Sequence, residues 1–453
     1  MKHVTRVVPA CALLLAVGMA FGAPLSHEPL RVAPPPANRA MEKGPGFFVD
    51  AAKGDDAAAG TQQAPWKTIG RGLKQLVAGD TLYLRGGTYY ENVYCALVGA
   101  EGKPITIRSY PGEQAVIDGG WREFFETPAQ AWEPVAGADG EYRSVRTYPN
   151  VRSVLGWFGD SMIGMSTYYH EMDLRAKGEL WNWQDWSKQK ETDADALYCG
   201  PGLWYEETTG RIFCRLSHTN IEGIANYKGE TDPRKLALVI GGPDPALELK
   251  RAKFIRVQDL VLRGTREATV ELTNCEGIEL DGITAYGGAP TLALQSNRDV
   301  RIVNSVFRGV SAPWSSRYAE KYRGVSTYLV ETGERGTDND GIEMAWSEFT
   351  DSHDGLQIYG VNRLRFHHNW AYDFNDDGIE PGPKKAQREV WIYQNLISRC
   401  LLTFSLHGDH GPGPAVESAP GSGVYIFRNV IDLRPPIRKT PPRVVDGAEE
   451  AGA

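Results

Sequence analysis

The sequence predicts an all-β chain wound as a parallel β-helix, and three observations predict it. The first is a run of alternating apolar triplets: Ile255-Arg256-Val257, Ile278-Glu279-Leu280, Val300-Arg301-Ile302, Ile342-Glu343-Met344, Leu364-Arg365-Phe366, Val390-Trp391-Ile392 and Val424-Tyr425-Ile426. Their first residues stand 23, 22, 42, 22, 26 and 34 apart, a base period near 22 lengthened by inserted loops, as in a solenoid. The second is a further short strand about 13 residues on (Val270-Glu271-Leu272, Leu292-Ala293-Leu294, Leu356-Gln357-Ile358, Ile379-Glu380). That leaves no room for a crossover helix and excludes a doubly wound α/β sheet. The third is glycine, 50 of 453 residues or about 11 % against a usual value of about 7 %, with no G-X-Y period. Turns and loops absorb glycine in such amounts. The length exceeds the roughly 250 to 300 residues of one compact domain but suits units that pack only on their neighbours.

The elements follow in chain order. Met1-Lys2-His3-Val4-Thr5-Arg6, the apolar run to Met19 and the small residues Ala20, Gly22 and Ala23 read as a secretory signal peptide over residues 1–23. Its removal takes the formal charge from −8 to −10, against a nucleic-acid partner. Once it is removed, no segment is long and apolar enough to span a membrane. Residues 24–45 form a flexible lead-in, and 46–120 hold an N-terminal cap and the first coils. Ile69, Leu73, Leu76 and Val77 share helical spacing, so an amphipathic helix over 66–77 caps the first coil. Residues 121–235 break the period and carry seven of the twelve tryptophans: Trp121, Trp132, Trp157, Trp181, Trp183, Trp186 and Trp204. They are read as an inserted antiparallel β subdomain with a hairpin turning at Thr209-Gly210, most of the tryptophans forming its own core. Cys199 and Cys214 flank that hairpin and are candidates for a disulfide. Residues 236–432 form the main β-helix and 433–453 a Pro-rich tail. Nothing after Val430 caps a solenoid, which points to a longer natural chain.

Five residues past each first apolar position stand Ser305, Ser347, Asn369, Asn395 and Asn429, placed to form a hydrogen-bonded ladder at a turn. The opening stretch Phe48-Val49-Asp50 … Gly54-Asp55-Asp56 … Pro65-Trp66-Lys67-Thr68-Ile69 … Ala78-Gly79-Asp80-Thr81-Leu82-Tyr83-Leu84-Arg85-Gly86-Gly87-Thr88-Tyr89 resembles that of the pectin-lyase-like superfamily. The resemblance covers residues 47–120 and 250–432. It implies a right-handed coil, and mostly a secreted polysaccharide lyase or glycoside hydrolase. The insert is similar to that of some β-helical exo-glycosidases.

Chemistry concentrates between Ser352 and Lys385. Asp354 and Asp377 are 23 residues apart, one coil, so they lie about 4.8 Å from one another. Gln357 and Glu380 share that spacing. Asp354, Asp376, Asp377 and Glu380 are therefore expected to converge as catalytic acids, their pKa values pushed apart for glycoside cleavage. The spacing resembles that of polygalacturonase-type hydrolases, although Cys400-Leu401-Leu402 stands where their Gly-His-Gly would be and no Arg-Ile-Lys follows. His353, Gln357, Tyr359, His367, Lys384, Lys385, His407 and His410 are the candidate substrate contacts. The competing reaction is elimination, as in the calcium-dependent pectate lyases of the superfamily. Asp373, Asp376 and Asp377 would then hold Ca2+, with Lys384 or Lys385 as base. Hydrolysis needs no cofactor. A third reading is a non-catalytic glycan-binding β-helix or adhesin. The leading expectation is a monomeric, secreted (extracellular or periplasmic) glycoside hydrolase acting on a poly- or oligosaccharide.

Overall fold

The computed structural model describes residues 35–138, 140–149, 151–177, 196–221, 225–315, 317–333, 338–381, 387–405 and 423–433, with the short strands Val444–Val445 and Ala448–Glu449. Among them, the coils build three parallel sheets of ten, nine and eight strands. One coil shows the pattern: Ile255–Gln258 in the first sheet, Leu260–Arg263 in the second and Val270–Thr273 in the third. The next coil enters the first sheet at Glu276–Asp281, pairing Val257 with Leu280. The apolar column continues through Ile302, Met344, Phe366, Ile392 and Ile426. Its members from Val257 to Ile392 are at most 1 % exposed. Along this column apolar residue stacks on apolar residue, which is why the period is legible.

The turn from the first sheet to the second repeats with a left-handed residue in coil after coil: Asp259, Asn304, Trp346, His368, Gln394 and Arg428 have φ between 52° and 57°. The ladder residues follow directly. Ser305 N donates to Ser347 Oγ (3.1 Å), Ser347 N to Asn369 Oδ1 (3.0 Å), Asn369 N to Asn395 Oδ1 (2.9 Å) and Asn395 N to Asn429 Oδ1 (3.0 Å). A second ladder, not anticipated, joins Cys275 N to Asn297 Oδ1 (2.9 Å) and Asn297 N to Asn339 Oδ1 (2.9 Å). Asn369→Ala should cost about 1–3 kcal/mol in urea unfolding, because it leaves the buried Ser347 N–H and Met344 carbonyl without their partner.

The capping helix is Ile69–Leu73, shorter than expected, with Thr68 Oγ1 accepting from Arg71 N (3.2 Å) at its start. Ile69, Leu73 and Leu76 pack into the core beneath it. The lead-in is not free where it is described. Arg39 pairs with Asp259 (3.0 Å) and Asp281 (2.9 Å), and the fully buried Arg108 donates to the carbonyls of Arg39 and Ala40 (2.9 Å each). Residues 35–45 therefore lie across the first sheet.

The period is interrupted between Ala115–Asp118 of the second sheet and Leu247–Lys250 of the third. The insert there carries a five-stranded sheet that is mixed rather than antiparallel: Ser166–Tyr168 runs parallel to Gly202–Glu206, and the remaining pairs are antiparallel. Its hairpin turns through Glu207–Gly210, with Gly210 at φ 69°. Trp132 is a core residue of the insert, as expected, whereas Trp157 is buried in a cluster shared with the β-helix, edge-on to Tyr286 and beside Val261. Trp181, Trp183 and Trp186 lie outside the described residues. Cys199 and Cys214 are separate buried thiols, so the expected disulfide is absent. Cys214 sits within the strand Arg211–Arg215, opposite Leu203, in an apolar layer. No helix among the described residues is long and apolar enough to cross a membrane.

Candidate functional site

The acid-bearing coils adjoin in the third sheet. Asp354 opens the strand Asp354–Ile358 and Asp377 opens Asp377–Pro381, with Leu356 opposite Ile379 and Gln357 opposite Glu380. The residues just before them, His353 and Asp376, form the turn from the second sheet, and Asp376 N donates to His353 O (2.8 Å). Asp-Gly reads as turn chemistry in the sequence, but Gly355 and Gly378 lie within strands. They are glycines because the coils approach closely: a Cβ on Gly355 would stand 2.1 Å from Gly378 O, and one on Gly378 2.9 Å from Thr403 O.

Carboxylate oxygens of Asp354, Asp377 and Glu380 lie within 4.8 Å of one another, and Asp354 Oδ1 accepts from Asp377 N (3.1 Å). All three are largely buried, with Asp354 the most open at 9 % exposed. Burial pushes the Asp354 carboxyl up to about 6, against the pull of the His353 charge. Burial, a hydrogen bond to Glu380 and the charge of Asp376 push Asp377 up to about 6 as well. Glu380 is held by two hydroxyls, Tyr328 and Tyr359, each 3.0 Å from Oε2. Burial and the Glu380 charge raise Tyr359 to about 12, so it remains a donor throughout the physiological range.

Asp376 does not join this trio as a free acid. Its Oδ2 accepts from Arg317 (2.6 Å) and Lys321 (2.8 Å) and faces His353 Nε2 (3.5 Å). Although burial opposes it, these three cations hold the Asp376 carboxyl well below the usual carboxylate range. His353 is 1 % exposed and so is not placed to touch a substrate. Burial disfavours its charge, but Asp376 and Glu320 raise it to about 9. Its second nitrogen, Nδ1, faces Glu320 Oε2 (3.5 Å).

The structure separates other candidates from the trio. Asp373, expected as a metal ligand, is tied to Arg399 by two bonds (2.6 and 2.9 Å) from within the second-sheet strand Trp370–Phe374, where its φ is 59°. His367, a candidate substrate contact, is buried at the end of the first-sheet strand Val361–His367. There it contacts Glu343 (3.2 Å) and stacks on Tyr393. Tyr359 and Gln357 do adjoin the acids, Tyr359 as the support of Glu380. Lys384, Lys385, His407 and His410 lie outside the described residues. Tyr328, Arg317, Glu320 and Lys321 are site residues that sequence reasoning missed. Their only trace is the 42-residue step between Val300 and Ile342, where the coils on either side take 22.

Two oxygens bound to one Ca2+ at about 2.4 Å are at most about 4.8 Å apart, so the trio fits a calcium ion in both donor type and dimension. Asp354, Asp377 and Glu380 would hold it, in place of the expected set of Asp373, Asp376 and Asp377. A cleft of about 780 Å³ lies elsewhere, against the N-terminal end of the first sheet, lined by Gly79, Lys103, Phe254, Arg256 and Glu279 among others. It contains no comparable acid cluster.

No protein-family model matches the chain. A pectate lyase of Emericella nidulans, PEL9, is 41 % identical over 88 residues, which are 19 % of this chain and 21 % of that one. The chain therefore matches about a fifth of that relative's length. Among solved structures, pectate lyase Pel9A superposes with a TM-score of 0.44 at 8 % identity, covering 87 % of this chain and 77 % of that one. A glycoside hydrolase gives 0.43 at 9 % identity, covering 78 % and 88 %. With coils built from three parallel sheets and turns closed by side-chain ladders, the chain is a parallel β-helix.

Proposed function

We propose that the chain is a secreted carbohydrate-active enzyme that hydrolyses glycosidic bonds of a poly- or oligosaccharide, with Asp354 and Asp377 as the carboxyl pair. One observation carries this reading: two buried carboxyls on adjacent coils, within 4.8 Å of one another, both raised to about 6. Two such groups titrate as a pair and share a proton near that pH. One is then an acid able to protonate the glycosidic oxygen while the other is ionised. Asp354, the more open, is placed as the acid, and Asp377 as its ionised partner. Oxygens within 4.8 Å are nearer the roughly 5 Å spacing of retaining enzymes than the about 6.5 to 9.5 Å of inverting ones. Glu380, oriented by Tyr328 and Tyr359, lies beside the pair and would face the oxocarbenium-like centre. Secretion rests on the pattern from Met1 to Ala23.

The specific observation favouring a second reading, calcium-dependent elimination, is the oxygen cage of Asp354, Asp377 and Glu380. Calcium there would lower the charge of a substrate carboxylate. Elimination also needs a neutral base. Among the described residues, the basic side chains beside the trio, Arg317 and Lys321, are both engaged with Asp376 rather than directed at the trio. A glycan panel assayed for new reducing ends and for ultraviolet-absorbing products, with and without chelator, separates the two. Hydrolysis predicts reducing ends without absorbance, at a rate indifferent to chelation. An absorbing product that disappears with chelator would replace this reading by the lyase.

A further inference from the structure

Between the second-sheet strand Val306–Arg308 and the third-sheet strand Tyr328–Glu331 the chain takes a detour through residues 309–327. The next coil makes the same passage, from Ser352 to Asp354, through one residue. The detour carries the helix Arg317–Arg323 and lies between the insert and the acid cluster. Arg317, Glu320 and Lys321 fall at i, i+3 and i+4, on one face of the helix, and that face meets Asp376, Asn375 and His353. Arg323 lies off that face. Its Nε donates to Asp173 Oδ1 (2.8 Å) in the insert helix Glu171–Arg175, and its carbonyl accepts from Tyr169 N (3.2 Å). Asp173 is 0 % exposed, and the same oxygen also accepts from Leu197 N (2.9 Å).

A seven-residue helix does not hold its place by its own hydrogen bonds; its position is set by what anchors it. On the insert side the anchors are the Asp173–Arg323 pair and Trp314, whose Nε1 donates to Pro201 O (3.0 Å). We propose that Arg323 is a positioning residue: clamped to Asp173, it fixes the helix so that Arg317 and Lys321 neutralise Asp376. The insert is thereby part of the active site, although it supplies none of the trio. This inference rests on the hydrolase reading for its chemical consequence. Released from the clamp, the helix would no longer hold Asn375 and Asp376, the two residues that lead directly into Asp377.

The test uses the full chain and compares wild type with Arg323→Met, Arg323→Lys and Asp173→Asn. Asp173→Asn is the milder break, should Arg323→Met fold poorly. Hydrogen exchange over residues 311–327 should quicken about 10-fold or more in Arg323→Met and Asp173→Asn, while the coils before residue 300 keep their protection. Amine labelling of Lys321 by an acetylating reagent should rise several-fold. Turnover of whichever panel glycan the wild type cleaves should fall by about 10- to 100-fold, the scale of a misplaced supporting group. Arg323→Lys, which keeps the charge, should recover most of all three. Unchanged exchange and labelling in both clamp variants would overturn the proposal, as would changes in both with turnover intact. If the wild type cleaves no glycan, the hydrolase reading fails separately, and exchange and labelling still decide whether the clamp exists.

Discussion

Asp377→Asn should lower turnover by at least about 10³-fold while leaving the fold intact, since it removes one member of the only paired set of raised carboxyls among the described residues. The same variant should be more thermostable than the wild type at neutral pH. The Asp377 carboxyl has an ordinary value of 3.8 and is raised to about 6 in the fold. Between those values the folded protein holds a proton that the unfolded chain has released. Stability from this group is therefore full below about pH 4 and is lost as pH rises through about 6. Asparagine has no such penalty, so its advantage should be absent at pH 4 and reach on the order of 2 kcal/mol above pH 7. Melting curves at the two pH values check the sign. Wild-type kcat/KM should peak near pH 6 and fall on both sides, as a shared proton requires. Unchanged turnover in Asp377→Asn would remove it from the mechanism.

The largest loss of stability is expected at the seam between the β-helix and the insert. Asp118 and Arg263 face each other on adjacent coils of the second sheet, 2 % and 1 % exposed, with Nε–Oδ2 at 2.7 Å. Arg263 continues to Tyr286 Oη (2.8 Å) and to Asp160 of the insert (2.5 Å), which is 76 % exposed. Asp118→Ala would strand a buried guanidinium on one solvated partner, costing about 3–5 kcal/mol in urea unfolding. The double variant Asp118→Leu with Arg263→Met should recover most of that, because the cost is an uncompensated charge rather than lost packing. A double variant as unstable as Asp118→Ala alone would show that the pair is needed for itself.

What the sequence revealed and what it concealed have one geometric source. Parallel strands pair residue for residue, so each coil must bring equivalent side chains to the same place. Val257, Leu280 and Ile302 recur at nearly equal intervals for that reason, as do Ser347, Asn369 and Asn395, and Asp354 with Asp377. A period of about 22 does not say which of three faces an outward residue occupies. His367 falls on the first sheet, whereas the acids lie at the start of the third. Asp373 was misjudged in the same way: it is close to Asp376 in sequence but on the far side of a turn, facing Arg399. The cations on Asp376 were hidden because Arg317 and Lys321 lie 59 and 55 residues earlier, in a detour that belongs to no period. In the insert, the parallel partner of Gly202–Glu206 arrives from Ser166–Tyr168, far from any hairpin signal.

The bare seam formed by Gly355 and Gly378 has a mechanical consequence. With no side chain between the two backbones, the gap between Asp354 and Asp377 equals the hydrogen-bonded spacing of the coils and cannot be tuned by packing. The acid pair works as a gauge mounted along the long axis of the rod. A load that stretches the rod would widen the pair before any side chain had changed rotamer. A single methyl at Gly355, 2.1 Å from the Gly378 carbonyl oxygen, would prise the two rungs apart, with the same result.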